Sequence, residues 1–161
     1  MITFNADEIF EMAEQIERNG SAFYKKAAEI TAHAGYKKLL AELSEWELQH
    51  EKTFHKIRTG LSGAAKAQGV ADPDGEAALY LQAFAAGKVF DPKAEPAAQL
   101  TGAESMETIL RTALGLEKDS IVFYLGLRQA VPANRGGQKV EAIIEEEMKH
   151  IRMLSEQLGA L

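Results

Sequence analysis

Apolar side chains recur at a helical period over four stretches of this chain. Across residues 6–32 they fall at Ile9, Phe10, Ala13, Ile16, Phe23, Ala27 and Ile30, a single stripe on an amphipathic helix. Asn5 or Asp7 is placed to cap its start, and Gly35 to mark its end. The pattern predicts a second helix over about 36–58, with the stripe Leu39, Leu40, Leu43, Glu47, His50, Phe54 and Ile57. Two polar residues thus sit on an otherwise apolar face, and both have ligand chemistry. Gly60 and Gly63 break the period. A third helix is expected over 105–131 and a fourth over 135–158, separated by Pro132-Ala-Asn134.

Between the second and third helices the composition changes. Residues 61–103 are rich in Ala, Gly and Pro, and only the stretch 74–84 promises a short helix. A connection this long is unusual in a compact domain. It is expected where two helical hairpins pack with opposite sense. The fold class that follows is all-α: one domain over 1–161, a four-helix bundle of two hairpins (about 5–60 and 104–160) with a long crossover over 61–103.

The two hairpins repeat one another at a spacing of 100 residues. Glu17-Arg-Asn-Gly-Ser-Ala-Phe23-Tyr24 returns as Glu117-Lys-Asp-Ser-Ile-Val-Phe123-Tyr124, and Glu47-Leu-Gln-His50 as Glu147-Met-Lys-His150. Apolar positions align as well: Ile9 with Ile109, Ala13 with Ala113, Leu40 with Val140, Leu43 with Ile143. On a helix, residues three apart lie about 60° from one another on one face. Each Glu-x-x-His therefore aims a carboxylate and an imidazole at a common point. A lone Glu-x-x-His in a Glu-rich chain is most simply part of a solvated face. Two copies, each 30 residues after a Glu-led Phe-Tyr segment, instead supply the four carboxylates and two imidazoles of a two-metal bundle site. In that reading Glu47 and Glu147 bridge, Glu17 and Glu117 are terminal, and His50 and His150 give one nitrogen to each metal. Four buried carboxylates left ionised and unpaired would cost several kcal/mol each, and two divalent cations would neutralise them.

Other candidates are weaker. Tyr24 and Tyr124 lie seven residues after the terminal glutamates, two turns along the same face. They could donate to ligand carboxylates or simply fill the core, with a redox role as a further option. His33 and His55 fall off the ligand face and are expected at the surface. Trp46 also turns off that line, toward packing or a subunit interface. Glu145-Glu146-Glu147 reads as a solvated edge from which only Glu147 turns inward.

Composition narrows the chemistry further. The chain has no cysteine, so thiol catalysis, disulfides and cysteine-ligated metals are excluded. Oxygen and imidazole ligands suit iron or manganese. The net charge of -6 disfavours nucleic-acid and anionic-membrane partners. Residues 1–8 lack the pattern of a signal peptide, and no apolar run reaches the roughly 20 residues of a membrane span. A cytoplasmic protein is expected.

The segments 17–24, 47–50, 117–124 and 147–150 resemble the rubrerythrin-like branch of the ferritin-like superfamily, in particular members made of the four-helix domain alone. The resemblance covers both hairpins and is weak in the crossover. It implies two iron ions (manganese or a mixed pair being alternatives) and reaction with hydrogen peroxide or dioxygen. Rubrerythrin proper adds a rubredoxin module on four cysteines. Without one, this chain would need an external electron donor such as a rubredoxin-type protein. It also departs from that family at Ser120, where rubrerythrin has an extra carboxylate one turn after its ligand, and at Gly20, its repeat mate. This makes the site more symmetric, closer to bacterioferritin-type centres. A di-iron oxidoreductase is the leading expectation, ahead of a ferroxidase or iron-handling protein and of a bundle with structural metals. A homodimer is expected.

Overall fold

The computed structural model describes residues 5–61, 63, 76–85 and 94–161, and among them every regular element is helical. Four long helices make two hairpins: α1 (Ala6–Ile30) with α2 (Ala34–Gly60), and, beyond the crossover, α4 (Met106–Ala130) with α5 (Gly137–Gly159). A shorter α3 (Glu76–Ala85) lies in the crossover and packs against α4. Single 3-10 turns at Pro96–Gln99 and Ala133–Arg135 complete the described path. The expected four-helix bundle is present. Of the short helix expected over 74–84, Asp74 and Gly75 lie outside the described residues.

Capping chemistry sets the ends. Asn5 accepts the Glu8 backbone N–H, and Glu8 reaches back to the Asn5 N–H, both at 3.0 Å, a reciprocal capping box. Ser105 caps α4 through the Thr108 N–H. The end of α1 differs from expectation. The helix stops at Ile30, and Gly35 lies inside the first turn of α2. The turn is made instead by Thr31, whose hydroxyl bonds the Ala27 carbonyl at 2.7 Å, and by His33, whose Nδ1 accepts the Gly35 N–H. His33 is exposed, as expected, and caps α2 as well.

The predicted stripes are buried except at Ile30 and Leu39, which are partly buried. Ile9, Phe10, Ala13, Phe23, Ala27, Leu40, Leu43, Phe54, Ile109, Ala113, Val140 and Ile143 are all inaccessible or nearly so. They divide into two apolar clusters. One joins Ile9, Phe10, Phe54, Phe123, Leu127 and Ile144 with Leu81 and Phe84 of α3. The other gathers Phe23, Leu40, Leu43, Ile109, Leu110 and Leu154. Full burial of a Phe or Leu contributes about 1.5–3 kcal/mol, so these clusters hold the bundle. They leave a polar stretch of all four long helices between them.

Polar ties reinforce the first hairpin. Arg58 of α2 bonds Asp7 at 3.1 Å and approaches the buried Glu14 at 3.5 Å. Arg18 bonds Glu51 at 2.8 Å, and Ser21 meets Ser44 at 3.0 Å. No described helix is long and apolar enough to cross a membrane.

Candidate metal centre

Glu17 comes from α1, Glu47 and His50 from α2, Glu117 from α4, and Glu147 and His150 from α5. The structure brings all six together in the polar gap between the apolar clusters. Each is at most 4% exposed. Their donor atoms form two sets, each lying within 4.8 Å of one another: Glu17, Glu47, His50 and Glu147 in one, Glu47, Glu117, Glu147 and His150 in the other. Glu47 and Glu147 belong to both. Each set has one glutamate and one histidine of its own.

Glu147 sits at the middle. Its Oε1 is 2.9 Å from His50 Nδ1, and its Oε2 is 2.8 Å from His150 Nδ1, without the alignment of a hydrogen bond. Glu47 Oε1 lies 3.4 Å from His150 Nδ1. His50 Nδ1 is 3.6 Å from Glu17, and His150 Nδ1 is 3.6 Å from Glu117. Both imidazoles thus present Nδ1 to the centre. Four buried atoms there have no hydrogen-bond partner among the described residues: Glu17 Oε2, Glu47 Oε1, Glu147 Oε2 and His150 Nδ1. Buried polar atoms are rarely left unsatisfied. Three of them, from Glu47, Glu147 and His150, belong to one donor set and the Glu17 oxygen to the other. Such orphans fit cations, and oxygen with imidazole nitrogen is a donor set for iron or manganese.

Electrostatics agree with that geometry. Burial, then the charge of Glu147, raises the carboxyl of Glu17. Burial with the charges of Glu117 and Glu17 drives Glu47 well up, and burial with Glu147 takes Glu117 to about 8. Burial opposes charge on the imidazoles, but hydrogen bonds to the surrounding glutamates outweigh it and push His50 and His150 up to about 12. The pocket is therefore rich in negative charge and retains positive charge in response.

The tyrosines act on the glutamates, but crosswise. The Tyr24 hydroxyl donates to Glu117 and the Tyr124 hydroxyl to Glu17, so each phenol holds the glutamate of the opposite hairpin. Glu17 keeps its second oxygen, Oε2, unpartnered toward His50, whereas the Glu117 oxygen that Tyr24 holds is also the one 3.6 Å from His150 Nδ1. Burial, then the charge of those same glutamates, raises both phenols well above their ordinary range.

Two residues read as bystanders reach the site. Glu146 has a half-exposed side chain, as a solvated edge would, yet its Oε2 bonds His50 Nε2 at 2.7 Å. Trp46 does turn away from its own helix's ligand line. Its ring nevertheless stacks on His150 of the other hairpin, 5.3 Å between centroids and 12° from parallel. Periodicity within one helix cannot show a contact made across to another. The available signal was the mismatch in the repeat, Trp at one position and Glu at its mate. His55 stays at the surface, 3.5 Å from Glu14.

A cavity of about 250 Å3 opens between α1 and α4 beside the Pro96–Gln99 turn. Tyr24, Glu47 and Glu117 line its inner end, with Gly20 and Ser120 on its walls. Gly20 matters by what it omits. A methyl group there would stand 2.6 Å from Glu47 Oε2. The Ser120 hydroxyl is turned back to the Leu116 carbonyl.

No family model matches the sequence, and no curated protein does either. Among solved structures the chain is similar to a Thermotoga maritima protein assigned as a ferritin-like diiron-carboxylate protein. The likeness has a TM-score of 0.74 at 22% identity, over 98% of this chain and 97% of that one. At that identity the likeness carries the architecture, and this chain has the ferritin-like four-helix fold.

Proposed function

We propose that the six residues bind two iron ions and that the protein is a non-haem oxidoreductase, reducing hydrogen peroxide or dioxygen with Fe(II). One observation carries the metal reading: four buried atoms from three helices have no hydrogen-bond partner among the described residues, and they are shared between the two donor sets. The charges balance, since four carboxylates and two divalent cations sum to zero with both imidazoles neutral. Glu47 and Glu147, common to both donor sets, would bridge. Glu17 with His50, and Glu117 with His150, would complete one position each.

When bound, paired Fe(II) would supply the two electrons that, with two protons, turn hydrogen peroxide into two waters. The residues supply the setting. Apolar clusters on either side exclude bulk water, and the cavity admits a small oxidant beside Glu47 and Glu117. Tyr24 lines that cavity and bonds Glu117, so a proton needs only one hydrogen bond to pass between them. Glu47 fills the space beside Gly20 and borders the cavity, into which it can shift as the charge of the site changes. Return of the site to its reduced form calls for an external electron donor, because the chain has no cysteine cluster.

The test is stopped-flow absorbance on anaerobically Fe(II)-loaded protein, mixed separately with peroxide and with dioxygen. Oxidation much faster with peroxide supports a peroxide reductase. Preference for dioxygen with turnover of added Fe(II) would make the protein a ferroxidase. Inertness to both would leave a structural metal site. Metal content tests the assignment separately. Glu47→Ala or Glu147→Ala is expected to lose most of both ions, since a bridge serves both. Full occupancy by elemental analysis in either variant would refute the ligand set.

A further inference from the structure

We infer that the two metal positions are unequal by construction: the His50 position is the anchored one, and the His150 position is the open one where metal exchanges and oxidant arrives. This rests on the two-metal reading above and goes beyond it, because the six ligands alone form a nearly symmetric set. The asymmetry comes from the residue preceding each shared glutamate, and from the side on which the cavity opens.

In the repeat, Trp46 and Glu146 occupy equivalent places, one residue before Glu47 and Glu147. Each reaches across to the histidine of the opposite hairpin. Glu146 bonds the outer nitrogen of His50 at 2.7 Å. A carboxylate there fixes the ring's tautomer and orientation and strengthens the inner nitrogen as a donor; losing such a partner typically costs 10–100-fold in metal affinity. His150 has no such partner. Among the described residues its outer nitrogen meets no carboxylate, and the Trp46 indole covers its ring face. An indole packs against an imidazole but cannot accept its N–H.

The cavity lies on the same side of the divide. It touches neither histidine, but of the two unshared glutamates it touches Glu117, which belongs to the His150 set, and not Glu17, and it also touches the shared Glu47. Thus the position lacking the carboxylate-backed histidine is also the one with an opening. The His50 position fills first and holds its ion; the His150 position fills second and releases it more readily.

Calorimetric titration of the metal-stripped protein with Co(II) tests this. Wild type is expected to bind two ions in two separable steps, with the emission of Trp46, the sole tryptophan, changing mainly in the second. Glu146→Gln keeps the shape and removes the charge; it should weaken the first step by about 10–100-fold and leave the second in place. Trp46→Glu writes the same chemistry onto the other position and should draw the two steps together. Equal steps in wild type, or a Glu146→Gln variant that weakens both steps alike or neither, would overturn the inference. Failure of wild type to bind two ions would instead overturn the two-metal reading beneath it.

Discussion

The phenols of Tyr24 and Tyr124 show how a single hydroxyl organises the centre. Each holds one oxygen of a glutamate from the opposite hairpin and so fixes that carboxylate beside the centre. Tyr→Phe at either position keeps the ring in the core and removes only the donor. The expected result is a loss of about 10-fold in metal affinity, as for other partners of ligating groups. The metal-stripped protein should lose about 0.5–1.5 kcal/mol, the usual net contribution of a hydrogen bond. Titration and chemical denaturation of the two single variants check both numbers. Unchanged affinity would return the tyrosines to a packing role. Gly20 is the complementary case, a residue that matters through the space it leaves. A methyl group 2.6 Å from Glu47 Oε2 must displace that carboxylate, so Gly20→Ala should alter metal affinity while Gly115→Ala, on an open helix face, should not.

The two hairpins are the same device used twice, and the crossover breaks their equivalence. α3 packs on α4 through Tyr80, whose hydroxyl bonds the Val122 carbonyl at 2.6 Å, while its ring lies over Gly126. A Cβ at Gly126 would stand 2.5 Å from that ring. The repeat mate of Gly126 is Lys26 on α1, an exposed position on which no described helix rests. Gly126→Ala should therefore shift α3 and cost about 1–3 kcal/mol, the range for overfilling a packed contact. The mutation would otherwise favour α4 by up to about 1 kcal/mol through helix propensity, so a net gain in denaturant midpoint would show that α3 contributes little. The loop between α1 and α2 shows a weaker rule. Glycine is a frequent helix terminator, but Thr31 and His33 bond the free backbone groups first, and Gly35 is left to continue the next helix.

For the molecule as a whole, buried ionisable groups tie stability to pH. Glu117 is raised from 4.5 to about 8, and the two histidines from 6.5 to about 12. Because these folded values lie above the unfolded ones, the folded protein binds more protons than the unfolded chain, and its stability falls as pH rises. The Glu117 contribution is complete below about 4.5 and lost through about 8; that of the histidines is complete below about 6.5 and lost toward about 12. The metal-stripped protein should thus melt at progressively lower temperature between pH 5 and 9. Metal binding requires the same groups deprotonated, so the rise in melting temperature on adding Fe(II) anaerobically should grow over that interval. A metal-induced shift that shrinks with rising pH would contradict the assignment of these groups as ligands.

Much of this protein is legible in its primary structure, because local rules govern it. A period of 3.6 places the long helices, and the 100-residue repeat pairs the stripes Ile9 with Ile109 and Leu43 with Ile143, all of which are buried. Polar residues on an apolar stripe betray themselves, since their burial is costly unless they are paired; Glu17, Glu47, His50 and their mates stand out for that reason. Contacts between helices follow no such period. Which glutamate each tyrosine holds, that Glu146 supports His50, that Trp46 lies on His150, and that the cavity opens toward Glu117 all depend on how the two hairpins dock. Docking is set by the summed packing of many side chains from distant parts of the chain, and no local pattern encodes it. The nearly symmetric set of four glutamates and two histidines belongs to the repeat, and the difference between its two halves belongs to the fold.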